Sequence, residues 1–419
     1  MDSVQSNGAT AGLSARTIAI VGAGQAGGWA AQTLRNEGFA GRIVLIGNES
    51  HPPYERPPLS KSVLAGEAEP ASSWLLRPEA FDALGLEWRP DTRVNRIDRN
   101  AKWLEMSDGR TLAYDKLILC TGGRARTLTV PGAHQARIHT LRTISDALSL
   151  AQEFRPGRSV AVIGGGWIGL EVAATARQKG CDVTVLEAQG RLCERSVPPE
   201  ISEHLLGLHA THGVHIRLGV HITGIARGAD GRSALTLADG DTLACDAIVA
   251  GVGLVPNEDL ARDAGLDCDG GIIVDERCST SDPDIFAAGD VAVTPNPWAG
   301  RRMRLESWQN AQEQGIAAAR AALGLPVVYQ PLPWFWSDQY DMNLQIYGVP
   351  LPSHRIVTRG MPGDNSFALF YLEGDVIKAA LGANAARDLR FARRLIEQSK
   401  PVDAKRLADA DVPMGKVSA

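Results

Sequence analysis

The sequence predicts an α/β protein with two Rossmann-like domains followed by a C-terminal α+β domain. Residues 160–187, VAVIGGGWIGLEVAATARQKGCDVTVLE, repeat the plan of residues 18–46, IAIVGAGQAGGWAAQTLRNEGFAGRIVLI. Each copy has an apolar run, a Gly-x-Gly-x-x-Gly motif, a helical stretch of small residues and a second apolar run. Continuous apolar runs are typical of parallel strands covered on both faces. Each copy therefore indicates a right-handed βαβ unit.

The duplication extends beyond the glycine motifs. Each copy is followed by strand-like runs around an Asp-Gly or Gly-Asp turn, KWLEMSDGRTLAYDKLILC and RSALTLADGDTLACDAIVAGVG. DIFAAGD at 284–290 then precedes a long Ala-rich helix, and the Pro-rich segment LPVVYQPLPW marks a boundary near residue 330. The alternating stretches LQIYGV, HRIVTRG, SFALFYLEG and DVIKAALG predict an antiparallel sheet, which the helix ARDLRFARRLIEQ closes.

Composition excludes several classes of protein. The chain has 419 residues, 44% of them hydrophobic and 22% charged, and a net charge of −5, which argues against nucleic acid as a partner. The sequence contains no run of about 18 apolar residues, the length that would predict a membrane-spanning helix. The first residues, MDSVQSNGATAGLSAR, lack the apolar core of a signal peptide and predict a frayed tail. We therefore expect a cytoplasmic enzyme.

The six cysteines, at 120, 181, 193, 245, 268 and 278, form no Cys-x-x-Cys or Cys-x-x-x-x-Cys pair. This spacing excludes a sequence-adjacent redox disulfide and gives no metal-ligand pattern, so no metal is expected. No cysteine precedes residue 120. That absence excludes a catalytic or redox-active cysteine in the first 119 residues.

The glycine motifs predict two phosphate-binding loops. In the first, Gly22 permits a tight turn, Gly24 lets the backbone approach a pyrophosphate, and Gly27 allows the helix to pack closely on the strand. The helix N-terminus then favours the anion. The second copy repeats the pattern at Gly164, Gly166 and Gly169.

The residue after the second apolar run distinguishes the two copies. Glu187 follows VTVL, where a carboxylate binds ribose hydroxyls and repels a 2′-phosphate, so this copy predicts an NADH site. Arg191 is the nearby cation that could reverse that preference. The first copy has Gly47 in the same place, followed by Asn48 and Glu49, which suggests a different ligand. FAD is the natural candidate, because a flavin must lie beside the nicotinamide for hydride transfer.

Specific motifs carry a resemblance over nearly the whole chain. They are YERPPLSK at 54–61, LRT at 141–143, GGGWIGLE at 164–171, GVGLVPN at 251–257, AAGD at 287–290, RLESWQNA at 304–311 and WFWSDQ at 334–339. With these motifs the chain resembles the glutathione-reductase-like flavoproteins with two dinucleotide sites, and among them the NADH-dependent ferredoxin reductases of bacterial oxygenase systems. The expected domains are a tail at 1–15, a FAD-binding domain at 16–120 and 249–330, a NAD-binding domain at 121–248, and a C-terminal domain at 331–419.

The resemblance also implies ligand contacts at individual residues. FAD contacts are expected at Gly22, Gly24, Ala26, Gly27, Asn48, Glu49, Arg56, Lys61, Val94, Thr121, Gly122, Arg142, Asp290 and Trp308. NAD contacts are expected at Gly164, Gly166, Trp167, Ile168, Gly169, Glu187 and Gly253. Asn48 stands where such enzymes usually have Asp or Glu, so Glu49 is the alternative ribose ligand.

Three residues are expected to act in catalysis: Lys61 near the flavin ring, Glu171 as its partner, and Trp336 between flavin and protein acceptor. Each has an ordinary structural explanation too. Lys61 could be a solvated lysine, Glu171 a carboxylate favoured by a helix N-terminus, and Trp336, like Trp334, a core aromatic. Asp290 could merely cap the following segment, but a carboxylate after Ala-Ala-Gly at a strand end is well placed for a ligand hydroxyl.

Two groups of arginines could dock an acidic protein, although a solvated surface is the simpler explanation. They are Arg387, Arg390 and Arg394 on one predicted helix face, and Arg301, Arg302 and Arg304.

The sequence thus predicts hydride transfer from NADH to FAD and single-electron transfer to a small acidic iron–sulfur ferredoxin that serves an aromatic-ring dioxygenase or a haem monooxygenase. The alternatives are a rubredoxin reductase, and a redox-gated NADH-binding interaction protein resembling apoptosis-inducing factor.

Overall fold

The computed structural model describes residues 16–228 and 230–418, which form two compact units. Of the described residues, the first unit comprises 16–55, 73–124 and 255–331, and the second 56–72, 125–228, 230–254 and 332–418. The tail predicted at 1–15 lies outside the described residues. The predicted domain boundaries stay a prediction, since the units are defined by packing rather than by ligand binding.

The first unit is built on a five-stranded parallel sheet. Its strands, in spatial order, are Ile285–Ala287, Lys116–Leu119, Thr17–Val21, Arg42–Ile46 and Leu86–Arg89. Two three-stranded sheets complete the unit: Val94–Asp98, Trp103–Met106 and Thr111–Ala113, and Ile272–Ile273, Ala292–Asn296 and Arg301–Arg304. Its helices are Gln25–Asn36, Pro78–Ala83, Asp259–Asp263 and Trp308–Ala322.

Small residues let two helices of this unit pack closely. Helix Gln25–Asn36 buries Ala26 and Ala30. It lies against helix Trp308–Ala322 so closely that a Cβ on Gly315 would be 2.4 Å from the Ala26 carbonyl oxygen. Ile18 and Ile20 of the central strand join the same core. The Ala-rich composition of both helices therefore has a packing cause.

The second unit contains the repeat of this plan. A five-stranded parallel sheet has the order His215–Arg217, Asp182–Leu186, Ser159–Ile163, Ala247–Ala250 and Ile138–His139. Between strands His215–Arg217 and Ala247–Ala250, the sequence forms a separate antiparallel sheet. Its strands are Ile222–Arg227, Ser233–Leu237 and Thr242–Cys245. The helices here are Ile144–Ala151, Trp167–Gln178 and Pro199–Thr211, with short 3₁₀ turns at Pro57–Ser60 and Ala133–Gln135.

The same unit includes the C-terminal antiparallel sheet. Its strands, in spatial order, are Trp334–Gln339, Met342–Gly348, Val376–Ala383, Phe367–Glu373 and Arg355–Arg359. Helices Ala386–Glu397 and Ala404–Ala408 and a 3₁₀ turn at Met414–Lys416 follow. Three short elements, Pro70–Ser73, Gly123–Ala125 and Leu254–Pro256, lie where the chain passes from one unit to the other. The predicted fold class, two Rossmann-like domains with a C-terminal α+β domain, is confirmed. Within the described residues, no helix is both long and apolar enough to cross a membrane.

Candidate functional site

The first phosphate loop, in the first unit, has the geometry that its glycines predict. Gly22 has φ +108°, and a Cβ there would lie 2.1 Å from the Cys120 carbonyl oxygen. A Cβ on Gly27 would lie 2.0 Å from the Gly22 carbonyl oxygen. Helix Gln25–Asn36 begins after Gly24, which supplies no side-chain cap. The first-turn N–H groups therefore remain available to an anion.

Ala26, Asp290 and Trp308 are brought together around this loop. A Cβ on Gly289 (φ +81°) would lie 3.0 Å from Ala26 Cβ, so the AAGD turn passes directly over the helix start. Arg304 Nη1 donates to the Asp290 carbonyl oxygen at 3.0 Å. Gln25 Nε2 donates to the Trp308 carbonyl oxygen at 2.9 Å. Gln25 was not predicted from the sequence, because its role depends on a residue 283 positions away.

The ribose position of the first copy needs a glycine for steric reasons. A Cβ on Gly47 would lie 2.6 Å from Ala23 Cβ, inside the phosphate loop. The next side chain, Asn48, is exposed, whereas Glu49 is half-buried. Tyr54 Oη donates to Glu49 Oε2 at 2.6 Å. The structure thus orients the Glu49 carboxylate and leaves Asn48 in solvent.

Thr121 and Gly122 are both hydrogen-bonded to Asn257. Thr121 Oγ1 donates to the Asn257 carbonyl oxygen at 2.8 Å, and Asn257 Nδ2 donates back to the Thr121 carbonyl oxygen at 2.9 Å. Asn257 N also donates to the Gly122 carbonyl oxygen at 2.9 Å. Val94 is buried and pairs with Met106 at the start of its strand. Asn257 lies in the GVGLVPN motif, and that motif was the only sequence signal for it.

The second phosphate loop, in the second unit, repeats the first. Gly164 has φ +103°, and a Cβ there would lie 2.5 Å from the Gly251 carbonyl oxygen. A Cβ on Gly169 would lie 2.0 Å from the Gly164 carbonyl oxygen. Around Gly166, by contrast, a Cβ would meet nothing within 4 Å. The loop is therefore closed on its protein side and open at the helix N-terminus, which fits a dinucleotide pyrophosphate.

Trp167, Ile168 and Gly253 border the second loop. Trp167 begins the helix, and its ring lies 5.0 Å from the ring of Phe335. Ile168 is 46% exposed, whereas the helix residues from Gly169 to Ala176 are buried. Gly253 has φ +109°, a conformation that strongly favours glycine.

The Glu187 carboxylate is fixed by the backbone of its own unit. Gly165 N donates to Oε2 at 2.6 Å and Gln189 N donates to Oε1 at 2.7 Å. Arg191, the cation that could have reversed the NADH preference, is engaged elsewhere. Its guanidinium donates to the Val197 and Glu194 carbonyl oxygens at 2.6 and 2.8 Å and to a serine hydroxyl. Arg191 therefore braces the loop that follows Glu187.

Arg56 and Arg142 also meet in the second unit. Arg56 Nη1 donates to the Arg142 carbonyl oxygen. The next residue, Thr143, is the N-cap of helix Ile144–Ala151 and forms a reciprocal capping box with Asp146. The LRT motif therefore supplies the N-cap of this helix, and Arg56 is hydrogen-bonded to the same motif.

Lys61 and Glu171 form an ion pair. Lys61 Nζ lies 3.1 Å from Glu171 Oε1, and only 5% of the Glu171 side chain is exposed. Ser60 Oγ donates to Glu171 Oε2 at 2.5 Å, and Ser337 Oγ donates to Oε1 at 2.7 Å. A buried charge requires such partners. The partnership of Lys61 with Glu171 that the motifs imply is present.

Trp336 lies on the opposite face of its strand from Ser337, because side chains alternate along a strand. Its ring stacks on Trp334, with centroids 4.9 Å apart and planes at 18°. Trp334 in turn stacks on Tyr347 at 6.0 Å. Trp336 Nε1 donates to Asp338 Oδ2 at 3.1 Å. Both tryptophans are half-buried.

Most of the candidate docking arginines are exposed. They are Arg387, Arg390 and Arg394 on helix Ala386–Glu397, and Arg301 and Arg302. Arg302 Nη1 donates to the Val274 carbonyl oxygen at 2.7 Å, and Arg304 pairs with Glu306 at 2.6 Å. Arg302 and Arg304 therefore make stabilising contacts within the first unit.

All six cysteines are free thiols. Burial raises the pKa of the Cys120 and Cys193 thiols to about 12, so neither is a ready nucleophile. Among residues 16–228 and 230–418, no cluster of His, Cys, Asp or Glu could hold a metal ion.

Comparison with known proteins identifies the family to which this chain belongs. The family described as "Pyridine nucleotide-disulphide oxidoreductase" matches residues 16–315, and "Reductase C-terminal" matches residues 334–418. The ferredoxin–NAD(+) reductase component of the anthranilate 1,2-dioxygenase system of Burkholderia cepacia is 42% identical over 96% of this chain and 98% of its own length. Rhodocoxin reductase of Rhodococcus erythropolis is 41% identical over 94% of this chain and 92% of its own length.

Two solved structures are similar to this chain over nearly its whole length. Putidaredoxin reductase, in its covalent complex with putidaredoxin, has a TM-score of 0.92 and 38% identity over 96% of this chain and 97% of its own. The ferredoxin reductase for the CYP199A2 system from Rhodopseudomonas palustris has the same TM-score and 39% identity over 96% of this chain and 100% of its own. The resemblance that the motifs predict is thereby confirmed: the chain belongs to the pyridine nucleotide-disulphide oxidoreductase family, in its branch of oxygenase-system ferredoxin reductases.

Proposed function

We propose that this chain is the reductase component of an oxygenase system, which takes electrons from NADH through FAD and delivers them to a small acidic two-iron ferredoxin. The observation that carries the proposal is the pair of glycine-rich phosphate loops in one chain, of which only the second has a carboxylate, Glu187, directly after its second strand. FAD, when bound, accepts a hydride and releases single electrons, so no side-chain nucleophile is needed.

The residues of the second unit account for the choice of NADH. Glu187 offers a carboxylate that hydrogen-bonds two ribose hydroxyls and repels a phosphate. Arg191 is held by two carbonyl oxygens and a hydroxyl of its own loop, so it is not free to receive a 2′-phosphate. Gly164, Gly166 and Gly169 would hold the pyrophosphate.

The residues of the first unit would hold FAD. Gly22, Gly24 and Gly27 receive its pyrophosphate at the helix N-terminus. We assign its ribose contact to Glu49 rather than Asn48, since Tyr54 fixes the Glu49 carboxylate. The further FAD ligands proposed in this unit are Ala26, Val94, Thr121, Gly122, Asp290 and Trp308. Arg56 and Arg142, which are also proposed as FAD ligands, belong to the second unit.

The proposed role of Lys61 is to stabilise the negative charge of the reduced flavin, with Glu171 keeping its ammonium group in place. A charge near a redox cofactor changes the reduction potential of that cofactor. For one electron, a change of about 59 mV is a tenfold change in the equilibrium constant.

Trp336 is proposed to lie on the route of the electron to the ferredoxin. It heads a stack with Trp334 and Tyr347, and the exposed Arg390 and Arg394 offer positive charge to an acidic partner. A rubredoxin is the less favoured acceptor, since the relatives named above serve ferredoxins of dioxygenase and haem monooxygenase systems. We place the enzyme in the cytoplasm, with NADH and ferredoxin.

The test is stopped-flow spectroscopy of the FAD-bound protein mixed first with NADH and then with an oxidised two-iron ferredoxin. We expect fast bleaching of the flavin by NADH, slow bleaching by NADPH, and fast reoxidation by the ferredoxin. A long-lived reduced complex that does not reduce the ferredoxin would contradict the proposal and favour a redox-gated interaction protein.

A further inference from the structure

The hydrogen bonds that lead away from Glu171 can run in only one direction. A carboxylate only accepts, so the Ser337 hydroxyl must give its single proton to Oε1, 2.7 Å away. Ser337 Oγ can then accept from Gln339 Nε2 at 3.0 Å. This orientation of the amide turns Gln339 Oε1 toward His209 Nε2, at 2.8 Å. His209 must therefore carry its proton on Nε2.

The surroundings of His209 support this tautomer independently. The side chain is completely buried on helix Pro199–Thr211. Among the described residues, its Nδ1 atom has no hydrogen-bond partner. A proton on Nδ1 would be a buried donor without an acceptor, which folded proteins rarely tolerate, whereas a bare lone pair is tolerated more often. Both arguments place the proton on Nε2.

Ser337 and Lys61 share one oxygen of Glu171. Lys61 Nζ lies 3.1 Å from Oε1, the same atom that accepts from Ser337. The serine hydroxyl takes up part of the negative charge on that oxygen. The Lys61 ammonium is thus held in place but is less completely neutralised than it would be by a carboxylate without other donors.

We propose that Ser337, Gln339 and His209 are positioning residues: they form a one-way hydrogen-bond chain that holds the Glu171 carboxylate and, through it, the Lys61 ammonium group. The chain begins in a helix, crosses an edge strand and ends at the ion pair, all within the second unit. Its effect on the flavin rests on the function proposed for Lys61, whereas its direction does not. Because the charge of Glu171 sets that direction, the tautomer of His209 reports on Glu171.

The first test is ¹⁵N NMR of the oxidised, FAD-bound protein with labelled histidine, in which each neutral tautomer has distinct ring-nitrogen shifts. We expect His209 to be protonated on Nε2 and bare on Nδ1. A proton on Nδ1 instead would contradict the proposed direction of the hydrogen bonds. His204 and His212, which lie outside it, serve as internal references.

The second test changes the end of the chain. In Glu171→Gln the amide can donate to Ser337, so the hydroxyl can turn and the chain can reverse. We expect the two ring-nitrogen shifts of His209 to move toward each other as the tautomers mix. Unchanged shifts would overturn the coupling. Ser233→Ala, which removes another buried serine hydroxyl, should leave the shifts of His209 unchanged; a change there would also contradict the proposal.

The third test measures the flavin midpoint potential. Ser337→Ala should lower the equilibrium constant for two-electron reduction about threefold to tenfold, and tenfold is about 30 mV. Ser337→Thr, which keeps the hydroxyl, should restore it. Lys61→Met tests the proposed function alone. If both Lys61→Met and Ser337→Ala leave the potential unchanged, the role of Lys61 fails; if only Lys61→Met lowers it, the positioning role fails.

Discussion

The burial of His209 predicts a specific dependence of stability on pH. Burial lowers the pKa of His209 from 6.5 to about 4, with a smaller lowering by His212 and an opposing contribution from the hydrogen bond to Gln339. The unfolded chain therefore binds a proton at this residue near pH 6.5 and the folded chain only near pH 4. Stability falls as the pH falls through this window, because the unfolded state takes up the proton first.

The size of the effect follows from the same two values. Each pKa unit corresponds to roughly 1.36 kcal/mol, so His209 contributes about 3 kcal/mol that is present at pH 7 and lost by pH 4. His209→Phe keeps a ring that can contact Tyr340, as His209 does at 5.3 Å, but it cannot titrate. Other groups contribute equally to both proteins and cancel in the difference.

The assay is the free energy of unfolding from urea denaturation of wild type and His209→Phe at several pH values between 7 and 4. Wild type should lose about 3 kcal/mol more than the variant over this range. His221→Phe, which changes an exposed histidine that does not contribute to the pKa of His209, should follow wild type. Parallel curves for wild type and His209→Phe would refute the buried, neutral histidine.

Other changes test the cofactor sites and the electron route. Glu187→Ala should weaken NADH binding by about 1.5–3 kcal/mol, the value of a hydrogen bond to a charged group, and relax discrimination against NADPH; Glu194→Ala, an exposed carboxylate in the same loop, should not, and an unchanged NADH/NADPH ratio of kcat/KM in Glu187→Ala would contradict the ribose assignment. Gly169→Ala places a Cβ 2.0 Å from a carbonyl oxygen and should abolish NADH binding, as measured by flavin bleaching in a protein that still contains FAD. Asp290→Ala should lower the FAD content of the purified protein, so full occupancy with a normal spectrum would exclude it as a ligand. Trp336→Ala should slow reduction of the ferredoxin more than reduction of the flavin in stopped flow, and equal slowing of both would exclude an electron route through this residue.

Local sequence was sufficient where the chemistry is local. The Gly-x-Gly-x-x-Gly spacing predicts both loops because three residues close to one another in sequence meet the same strand and helix. A Cβ on Gly27 would lie 2.0 Å from the Gly22 carbonyl oxygen, so the helix can start this close to the strand only with glycine at that position. Glu187 was predictable too, since it directly follows a buried strand.

The environment of Glu49 was not predictable to the same degree. Its hydrogen bond with Tyr54 crosses a loop of irregular structure, and no periodic pattern encodes the direction of such a loop. The same holds for Arg191, whose charge suggested a phosphate ligand until its three acceptors were seen. An arginine's long side chain can reach several acceptors, and packing decides among them.

By itself, therefore, the sequence determined the fold class, the two phosphate loops, the NADH-type carboxylate and the family, because these depend on apolar periodicity and on short glycine spacings. Only the tertiary structure decided which carboxylate oxygen Lys61 and Ser337 share, and that a buried histidine 130 positions from Gln339 completes the chain. Hydrogen bonds between distant segments depend on how strands and helices pack. That packing is a property of the whole chain, and no short stretch of sequence contains it.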